Sequence, residues 1–317
     1  MRILLTGSSG WLGRRLAVRL REAGHEPLGL DIAPGPDTHV VGSVADPALV
    51  GGLFHRLGFE GVIHTGALHK PDIVRESPQA FVDTNVTGVL NLLQAAEAIG
   101  CRRFVFTSTT SLMISHAVRE SKQRKAMWLD ETFAPLEPRN IYGVTKLAAE
   151  GLCRLYADQH GVNCMVLRTG RFFPEDDDTL EEPSGPNLKA NEFLNRRLTV
   201  EDAAEAHLVA LERAPALGFG VFVISAPPPF SKDDAEALWR DAPAVITRRF
   251  PDAAELYARQ AWRLPARIDR VYDPSLAEKV LGFRCRTDFA AVIEALRRGE
   301  APPFDHDPSY VAPRLRA

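Results

Sequence analysis

Short apolar runs alternate along the chain with longer segments whose apolar residues recur at helical spacing. The first run, at residues 3–5, predicts a buried strand, and Leu12, Leu16 and Leu20 predict a helix directly after it. Strands that alternate with helices are typical of an α/β fold with a parallel, doubly wound sheet and ligands at the C-terminal strand ends. Further strands are predicted at residues 26–30, 61–64, 103–107, 163–168 and 221–225, and further helices at residues 78–99, 147–159 and 200–212.

Three glycines separate the first strand from the first helix. Gly7, Gly10 and Gly13 recur at intervals of three. Such glycines allow a tight turn, a close approach of phosphates to the backbone, and close packing of the helix on the strand. The helix that follows offers unpaired N–H groups and the positive end of its dipole, so this turn predicts a pyrophosphate site.

A carboxylate at the end of the second predicted strand extends this site. Asp31 lies 18 residues beyond Gly13, where it can accept hydrogen bonds from both hydroxyls of an adenosine ribose. A 2′-phosphate would meet Asp31 as a like charge, so NAD is favoured over NADP. Arg14 and Arg15 lie one turn into the helix and leave NADP open as the less favoured cofactor.

The pattern changes after Arg168. Residues 171–198 are predicted to form a polar loop with an acidic run at 175–178, and beyond residue 227 short helical stretches alternate with prolines. We therefore predict two domains: a dinucleotide-binding domain of residues 1–170 plus 199–226, and a smaller, discontinuous substrate-binding lobe of residues 171–198 plus 227–317.

A tyrosine and a lysine four residues apart are the main candidates for chemistry. Tyr142 and Lys146 fall on one face of a predicted helix, where the ammonium can lower the pKa of the phenol and make it a usable base. Hydroxyl residues at 107–111 follow a predicted strand and can hydrogen-bond a reacting oxygen. Asn85 lies inside a mostly apolar predicted helix, where an asparagine is unfavourable unless it has a specific role.

The composition of the chain mainly excludes certain partners and sites. The 317 residues are 45% hydrophobic and 25% charged, with a net charge of −3. This balance does not favour nucleic acid as a partner, and no apolar run is long enough to predict a membrane span. The four scattered cysteines show no metal-ligand spacing, so we expect no metal, reduced thiols and a cytoplasmic location.

Seven motifs together make the chain resemble the NAD-dependent epimerase/dehydratase family, the extended short-chain dehydrogenase/reductases, over nearly its whole length. The resemblance implies a Rossmann-like fold, a homodimer and an enzyme in which Tyr142 is the acid/base, Lys146 its partner, Thr109 the hydroxyl on the substrate oxygen and Asn85 a support of the active site. The motifs are Thr6–Gly13, Val62–Ala67, Thr84–Gly88, Phe104–Thr109, Tyr142–Lys146, Leu167–Gly170 and Leu198–Asp202.

The predicted cofactor site combines the glycine turn with the ends of the neighbouring strands. Besides the three glycines and Asp31, it contains the residues Ser9, Trp11, Leu12, Ser43, Val44, Thr65, Gly66, Ala67, Thr107, Tyr142 and Lys146.

Four departures from the family pattern bear on the substrate. Met113-Ile114 replaces the common Tyr-Gly pair, and Thr110-Ser111 replaces the Asp-Glu pair of the 4,6-dehydratases, which argues against water elimination. Arg171 stands where many epimerases have an asparagine, and Ser43 replaces an acid beside the adenine. A standard nucleotide-sugar is therefore less well supported than the hydride chemistry itself.

The predicted substrate is a small, sugar-derived molecule contacted by His69, Thr110 and Arg171. His69 follows a strand end, and Arg171 suits a phosphate or carboxylate. Two reactions stay open at this point: epimerisation and simple dehydrogenation or reduction, including that of a substrate without a nucleotide. An alternative from another class is a dinucleotide-sensing regulator without catalysis.

Overall fold

The computed structural model describes residues 1–120, 124–174 and 181–305, and the acidic run at 175–178 lies outside them. Within these ranges a seven-stranded parallel sheet has the strand order β3-β2-β1-β4-β5-β7-β8. A second sheet pairs β6 with β9, also in parallel. The strands are β1 (Arg2–Thr6), β2 (Glu26–Asp31), β3 (Val40–Val41), β4 (Gly61–His64), β5 (Arg103–Thr109), β6 (Met127–Leu129), β7 (Asn163–Thr169), β8 (Phe219–Ile224) and β9 (Arg270–Tyr272).

The prediction of a doubly wound parallel sheet is confirmed. The direction of strand progression reverses between β1 and β4, and such a reversal opens a crevice at the C-terminal strand ends. The α-helices are α1 (Trp11–Glu22), α2 (Pro47–Leu57), α3 (Pro78–Val82), α4 (Gly88–Ala98), α5 (His116–Glu120), α6 (Ile141–His160), α7 (Gly185–Glu192), α8 (Val200–Leu217), α9 (Ala235–Arg240), α10 (Ala242–Arg249), α11 (Ala253–Arg259) and α12 (Phe289–Arg298).

Both faces of the main sheet are covered, which explains the continuous apolar runs of its strands. On β4, Ile63 belongs to the core cluster that contains α1 and α8, whereas its neighbour Val62 belongs to the cluster that contains α2, α4 and α6. Val105 and Phe106 divide in the same way on β5. All four cysteines are buried as free thiols, in agreement with their predicted packing role.

The segment 171–198 differs from the predicted polar loop, because α7 lies within it. The buried face of α7 is polar, so the sequence shows no apolar periodicity there. Lys189 Nζ donates to the Asp305 carbonyl at 2.7 Å, and Asn187 Nδ2 donates to the Arg263 carbonyl at 3.0 Å. Glu192 is also buried and pairs with neighbouring arginines.

The small sheet crosses the domain boundary drawn from the sequence. β6 lies in the segment 1–170, which was assigned to the dinucleotide-binding domain, and it pairs with β9 from the segment 227–317. The predicted boundary therefore divides two strands that pair with each other, and the domain division stays a prediction.

In the part of the chain that the structure describes, none of the helices has the length and apolar character needed to cross a bilayer. The same ranges contain no group of three or more His, Cys, Asp or Glu side chains placed to hold a metal ion.

Candidate active site

The turn between β1 and α1 needs glycine at two positions for steric reasons. Gly7 has a φ of +71°, and a Cβ atom there would lie 2.6 Å from Thr65 Oγ1. A Cβ atom at Gly13 would lie 2.0 Å from the Gly7 carbonyl oxygen. Gly10 is the N-cap of α1 and has no side chain with which to cap it, and the first residues of this helix line a cleft. The start of α1 thus suits an anion such as a pyrophosphate.

Asp31 is held in place at the end of β2. Its Oδ2 accepts from the Ser9 backbone nitrogen at 2.9 Å, and its Oδ1 accepts from the Ala33 nitrogen at 3.0 Å. Each carboxylate oxygen retains a lone pair, and Asp31 lines the cleft. This geometry fits the predicted contact with the two hydroxyls of a ribose.

One cleft of about 1240 Å³, part of which is open to solvent, runs from the glycine turn to the start of α6. It is lined by every residue predicted to bind the cofactor except Ser9. Ser9 is buried behind the turn, where its hydroxyl donates to the Ala33 carbonyl at 2.6 Å. Its backbone nitrogen orients Asp31, so Ser9 supports the site from outside the cleft.

Tyr142 and Lys146 lie in the first two turns of α6. The helix begins where Asn140 Oδ1 accepts from the Gly143 nitrogen at 3.0 Å. Both side chains are buried and both line the cleft, as their spacing predicts. The structure therefore brings the candidate base, the candidate amine and the glycine turn to the same cavity.

Burial disfavours the charge of Lys146, and two close contacts of its ammonium offset this only in part. Its Nζ donates to the Thr107 carbonyl at 2.8 Å and lies 4.7 Å from the centroid of the Phe106 ring. Burial lowers the pKa of Lys146 to about 7, although Cys153 and Glu150 act in the opposite direction. Near neutral pH, Lys146 is therefore present in both its charged and its neutral form.

A buried ion pair lies one helical turn beyond Lys146. Glu150 Oε1 accepts from Ser108 Oγ at 2.5 Å and from Arg168 Nε at 3.0 Å, and its Oε2 accepts from Arg168 Nη2 at 2.7 Å. Ser108 lines the cleft, so this network joins the floor of the cleft to α6 and β7. Charged groups with this degree of burial fix side-chain positions through their paired hydrogen bonds.

Asn85 connects a cleft loop to α6 without lining the cleft itself. It lies in a π-helical turn, Asp83–Thr87, within the predicted helix 78–99. Its Oδ1 accepts from the Leu68 nitrogen at 2.8 Å, and its Nδ2 donates to the Leu68 carbonyl at 3.0 Å and to Thr145 Oγ1 at 3.2 Å. These contacts supply the reason that an asparagine needs inside an apolar helix.

Aromatic rings form one wall of the cleft beside Tyr142. The His69 ring lies 5.8 Å from the Tyr142 ring and 5.3 Å from the Phe173 ring, centroid to centroid. Phe172 stacks on Phe173 at 4.3 Å, and its carbonyl accepts from Trp11 Nε1 at 3.1 Å. His69 and both phenylalanines line the cleft, so aromatic rings form its surface at this end.

Comparison with known proteins agrees with this geometry. Residues 3–185 match the model of the NAD dependent epimerase/dehydratase family. The chain belongs to this family. It is 30% identical to a uronate dehydrogenase of Pseudomonas syringae pv. tomato over 179 residues, which are 55% of this chain and 60% of that protein. It is 26% identical to a UDP-glucose 4-epimerase of Streptomyces lividans over 249 residues, or 67% of this chain and 72% of that protein.

Solved structures give the same fold. A short-chain dehydrogenase/reductase superfamily protein from Agrobacterium tumefaciens, solved with bound NAD, superimposes with a TM-score of 0.65 at 21% identity. The match covers 94% of this chain and 98% of that structure. By contrast, the matched region spans only about 60% of the uronate dehydrogenases.

Three predicted substrate-side residues do not line the cleft. Thr109 Oγ1 accepts from the Ser111 nitrogen at 3.1 Å, and Thr110 Oγ1 donates to the Thr169 carbonyl at 3.2 Å. Arg171, which the sequence predicts to bind a phosphate or carboxylate of the substrate, directs its Nε to 3.4 Å from Glu192 Oε1. The buried carboxylate on α7 attracts this guanidinium, and α7 itself was not predicted.

Other cleft residues were missed by sequence reasoning. Phe172 and Phe173 directly follow the end of β7, so the rule that ligands meet C-terminal strand ends could have identified them. Thr84 and Thr169 also line the cleft, as does Ser108, one of the hydroxyl residues at 107–111 that the sequence analysis singled out. Ser108 and Thr169 stand at strand ends, whereas Thr84 enters the site through the π-helical turn, which leaves no clear signal in the sequence.

Proposed function

We propose that this chain binds NAD in the cleft and oxidises a secondary alcohol of a sugar-derived substrate, with Tyr142 as the base. The observation that carries this proposal is that Tyr142 and Lys146 are buried together at the start of α6 and line the same cleft as the glycine turn. This retained pair argues against a dinucleotide-sensing regulator without catalysis, which has no need of it.

The cofactor end of the cleft favours NAD over NADP. Asp31 places a carboxylate where a 2′-phosphate would need a cation. Arg14 Nε donates to the Ser9 carbonyl at 2.9 Å, and Arg15 pairs with Asp305 at 3.0 Å and with Glu201 at 3.4 Å. Both arginines thus have protein partners. Their positions in the sequence left NADP open, and these contacts make them less suited to bind its 2′-phosphate.

Each chain residue has a distinct part in the proposed step. Tyr142 takes the proton from the substrate hydroxyl while bound NAD supplies the acceptor for the hydride from the adjacent carbon. Lys146, while charged, stabilises the phenolate. Thr109 does not line the cleft, and its Oγ1 accepts from the Ser111 nitrogen, so its predicted contact with the reacting oxygen is not carried into this proposal.

The aromatic wall supports a sugar ring as the substrate class. His69 and Phe173 stand beside Tyr142, and rings of this kind pack on the apolar C–H face of a pyranose or furanose. We propose that they orient the sugar so that one carbinol faces the phenol. Arg171 is not part of this proposal, since its guanidinium is directed to Glu192.

Two outcomes of the oxidation are distinguished by what happens to the keto product. Its release defines a dehydrogenase, which the similarity to uronate dehydrogenase supports. Its rotation and reduction on the other face define an epimerase, which the similarity to UDP-glucose 4-epimerase supports. We propose dehydrogenation of a sugar without a nucleotide as the first candidate, because Arg171 and Ser43 depart from the pattern of nucleotide-sugar epimerases and the chain is similar to a uronate dehydrogenase.

The experiment is a substrate panel of aldoses, uronic acids and UDP-sugars with NAD and with NADP. We expect NADH to accumulate in proportion to substrate with at least one free sugar or uronic acid, and more slowly with NADP. Purified protein that retains NAD and interconverts a UDP-sugar without net reduction would instead establish the epimerase. Cofactor binding without turnover on any member would favour the regulator.

A homodimer is proposed as the assembly. Val82 on α3, and Val144 and Leu155 on α6, are large apolar side chains with at least a third of their surface exposed. Light scattering on the eluted protein should give twice the chain mass, and a single chain mass would refute the dimer. The cytoplasmic location stays a prediction from the sequence.

A further inference from the structure

Thr107 is the point at which helices from both faces of the sheet meet the cleft. β5 pairs with β4 only as far as Phe106, and from Thr107 onward it pairs with β7 alone. The Thr107 carbonyl accepts from Lys146 Nζ of α6 at 2.8 Å, and Thr107 Oγ1 lies 2.7 Å from His207 Nε2 of α8. The side-chain contact therefore anchors the residue whose carbonyl receives the lysine.

The hydrogen-bond roles of His207 follow from its other ring nitrogen. His207 Nδ1 lies 2.7 Å from the Ala203 carbonyl, and because a carbonyl oxygen only accepts, this nitrogen carries the proton. Burial lowers the pKa of His207 to about 4, so the ring is neutral at pH 7 and Nε2 is an acceptor. The Thr107 hydroxyl must then donate its single hydrogen to His207.

We propose that His207 is a positioning residue for the reaction, acting through Thr107 on Lys146. This rests on the proposed function, in which Lys146 assists Tyr142. His207 is fully buried and does not line the cleft, so it touches neither cofactor nor substrate. Its influence passes through two hydrogen bonds on one residue. Since Lys146 is desolvated, a small displacement of the Thr107 carbonyl changes the stability of the charged form of Lys146.

Other ionisable groups near Lys146 define the background for a titration. Glu150 and Cys153 follow it on α6, Tyr142 precedes it, and His64 lies on β4 on the same side of the sheet as Phe106. None of these residues is altered by a change at His207. A shift in the Lys146 titration that follows such a change therefore reports on the Thr107 carbonyl.

Two amide variants separate the two ring nitrogens of His207. His207→Asn places an amide nitrogen near Nδ1 and keeps the bond to Ala203, whereas His207→Gln extends an amide oxygen toward Nε2 and keeps an acceptor for Thr107. The titration of Lys146 is followed without substrate by NMR of protein labelled with ¹⁵N-lysine, and Lys146→Met identifies its signal. The midpoint of the Lys146 titration should be lower by about half a pH unit in the Asn variant only. A shift of this size corresponds to the partial loss of one hydrogen bond to a charged group. The kcat of the Asn variant should fall about tenfold with little change in KM for NAD.

Thr107→Val gives an independent test that removes only the hydroxyl. It should lower the Lys146 midpoint like His207→Asn, and the double variant should show no further shift. If His207→Asn lowers the melting temperature but leaves the Lys146 titration unchanged, or if both amide variants shift it equally, His207 is merely structural. If His207→Asn does not fold, an unchanged titration in Thr107→Val overturns the proposal. The titration needs no substrate, so its result is separate from whether the chain transfers hydride.

Discussion

The two ends of the cleft differ in what forms them: backbone geometry at the cofactor end and side chains at the substrate end. At the cofactor end, backbone geometry defines the site: Gly7 and Gly13 are required by close contacts, and Asp31 ends a strand. At the substrate end, side chains from β7 and the segment beyond it define the site, and Phe172 and Phe173 form its wall. Backbone geometry restricts the sequence strongly, whereas a wall of side chains can be built in many ways. The family can therefore be identified from the sequence of the cofactor end, whereas the choice of substrate depends on the side chains of the other end.

Among the changes that compare the two ends of the cleft, the largest expected effect is the loss of NAD binding in Gly13→Ala. Its Cβ atom would lie 2.0 Å from the Gly7 carbonyl oxygen, so the turn or α1 must move. We expect the Kd for NAD to rise by about 100-fold, since the helix N-terminus would no longer face the phosphates. Gly51→Ala in α2, where a Cβ atom meets nothing within 4 Å, is the matched control. Calorimetric titration that finds wild-type affinity in Gly13→Ala would break the assignment of the cofactor end.

A second effect concerns the pH dependence of stability at the centre of the cleft. Burial lowers the pKa of Lys146 to about 7 from 10.5, so the unfolded state binds more protons than the folded state between these values. Burial of Lys146 therefore costs stability that is regained as the pH rises from 7. Relative to Lys146→Met, the wild type should gain about 2 kcal/mol in unfolding free energy between pH 7 and pH 9.

Denaturant unfolding at several pH values measures this gain. The exposed Lys279→Met is the control and should follow the wild type. Parallel curves for the wild type and Lys146→Met would mean that Lys146 is not desolvated in solution.

The smallest effect is expected at the substrate end. Phe173→Leu should raise KM for the sugar by about tenfold through loss of aromatic packing, while the Kd for NAD stays within about twofold. Phe219→Leu on β8 removes an aromatic ring outside the cleft and should leave both values unchanged. Equal losses of sugar and NAD affinity in Phe173→Leu would show that the two ends are not separable.

Sequence reasoning succeeded where one physical rule dominated. Apolar runs and helical periodicity predicted the strands of the main sheet other than β3, because both of its faces are buried. It failed for α7, where three of the five buried residues are the polar Asn187, Lys189 and Glu192, so that the helix has no apolar periodicity. The placement of Arg171 at the substrate stays a prediction, and its contact with Glu192 could not be foreseen because Glu192 lies on that unpredicted helix. The glycine turn and the pair Tyr142 and Lys146 are each local in sequence, whereas contacts such as that of Arg171 with Glu192 join residues that are distant in sequence.

The central claim is that Tyr142 is the base for oxidation at the mouth of the sheet, and Tyr142→Phe tests it most directly. Its measurement is the rate of NADH formation with a substrate identified from the panel, alongside the Kd for NAD. Tyr156→Phe is the matched control, since Tyr156 lies on the same helix but outside the cleft. We expect turnover by Tyr142→Phe to fall by about 10³-fold with the Kd for NAD within about twofold, and Tyr156→Phe to behave as the wild type. Wild-type turnover in Tyr142→Phe would contradict the account.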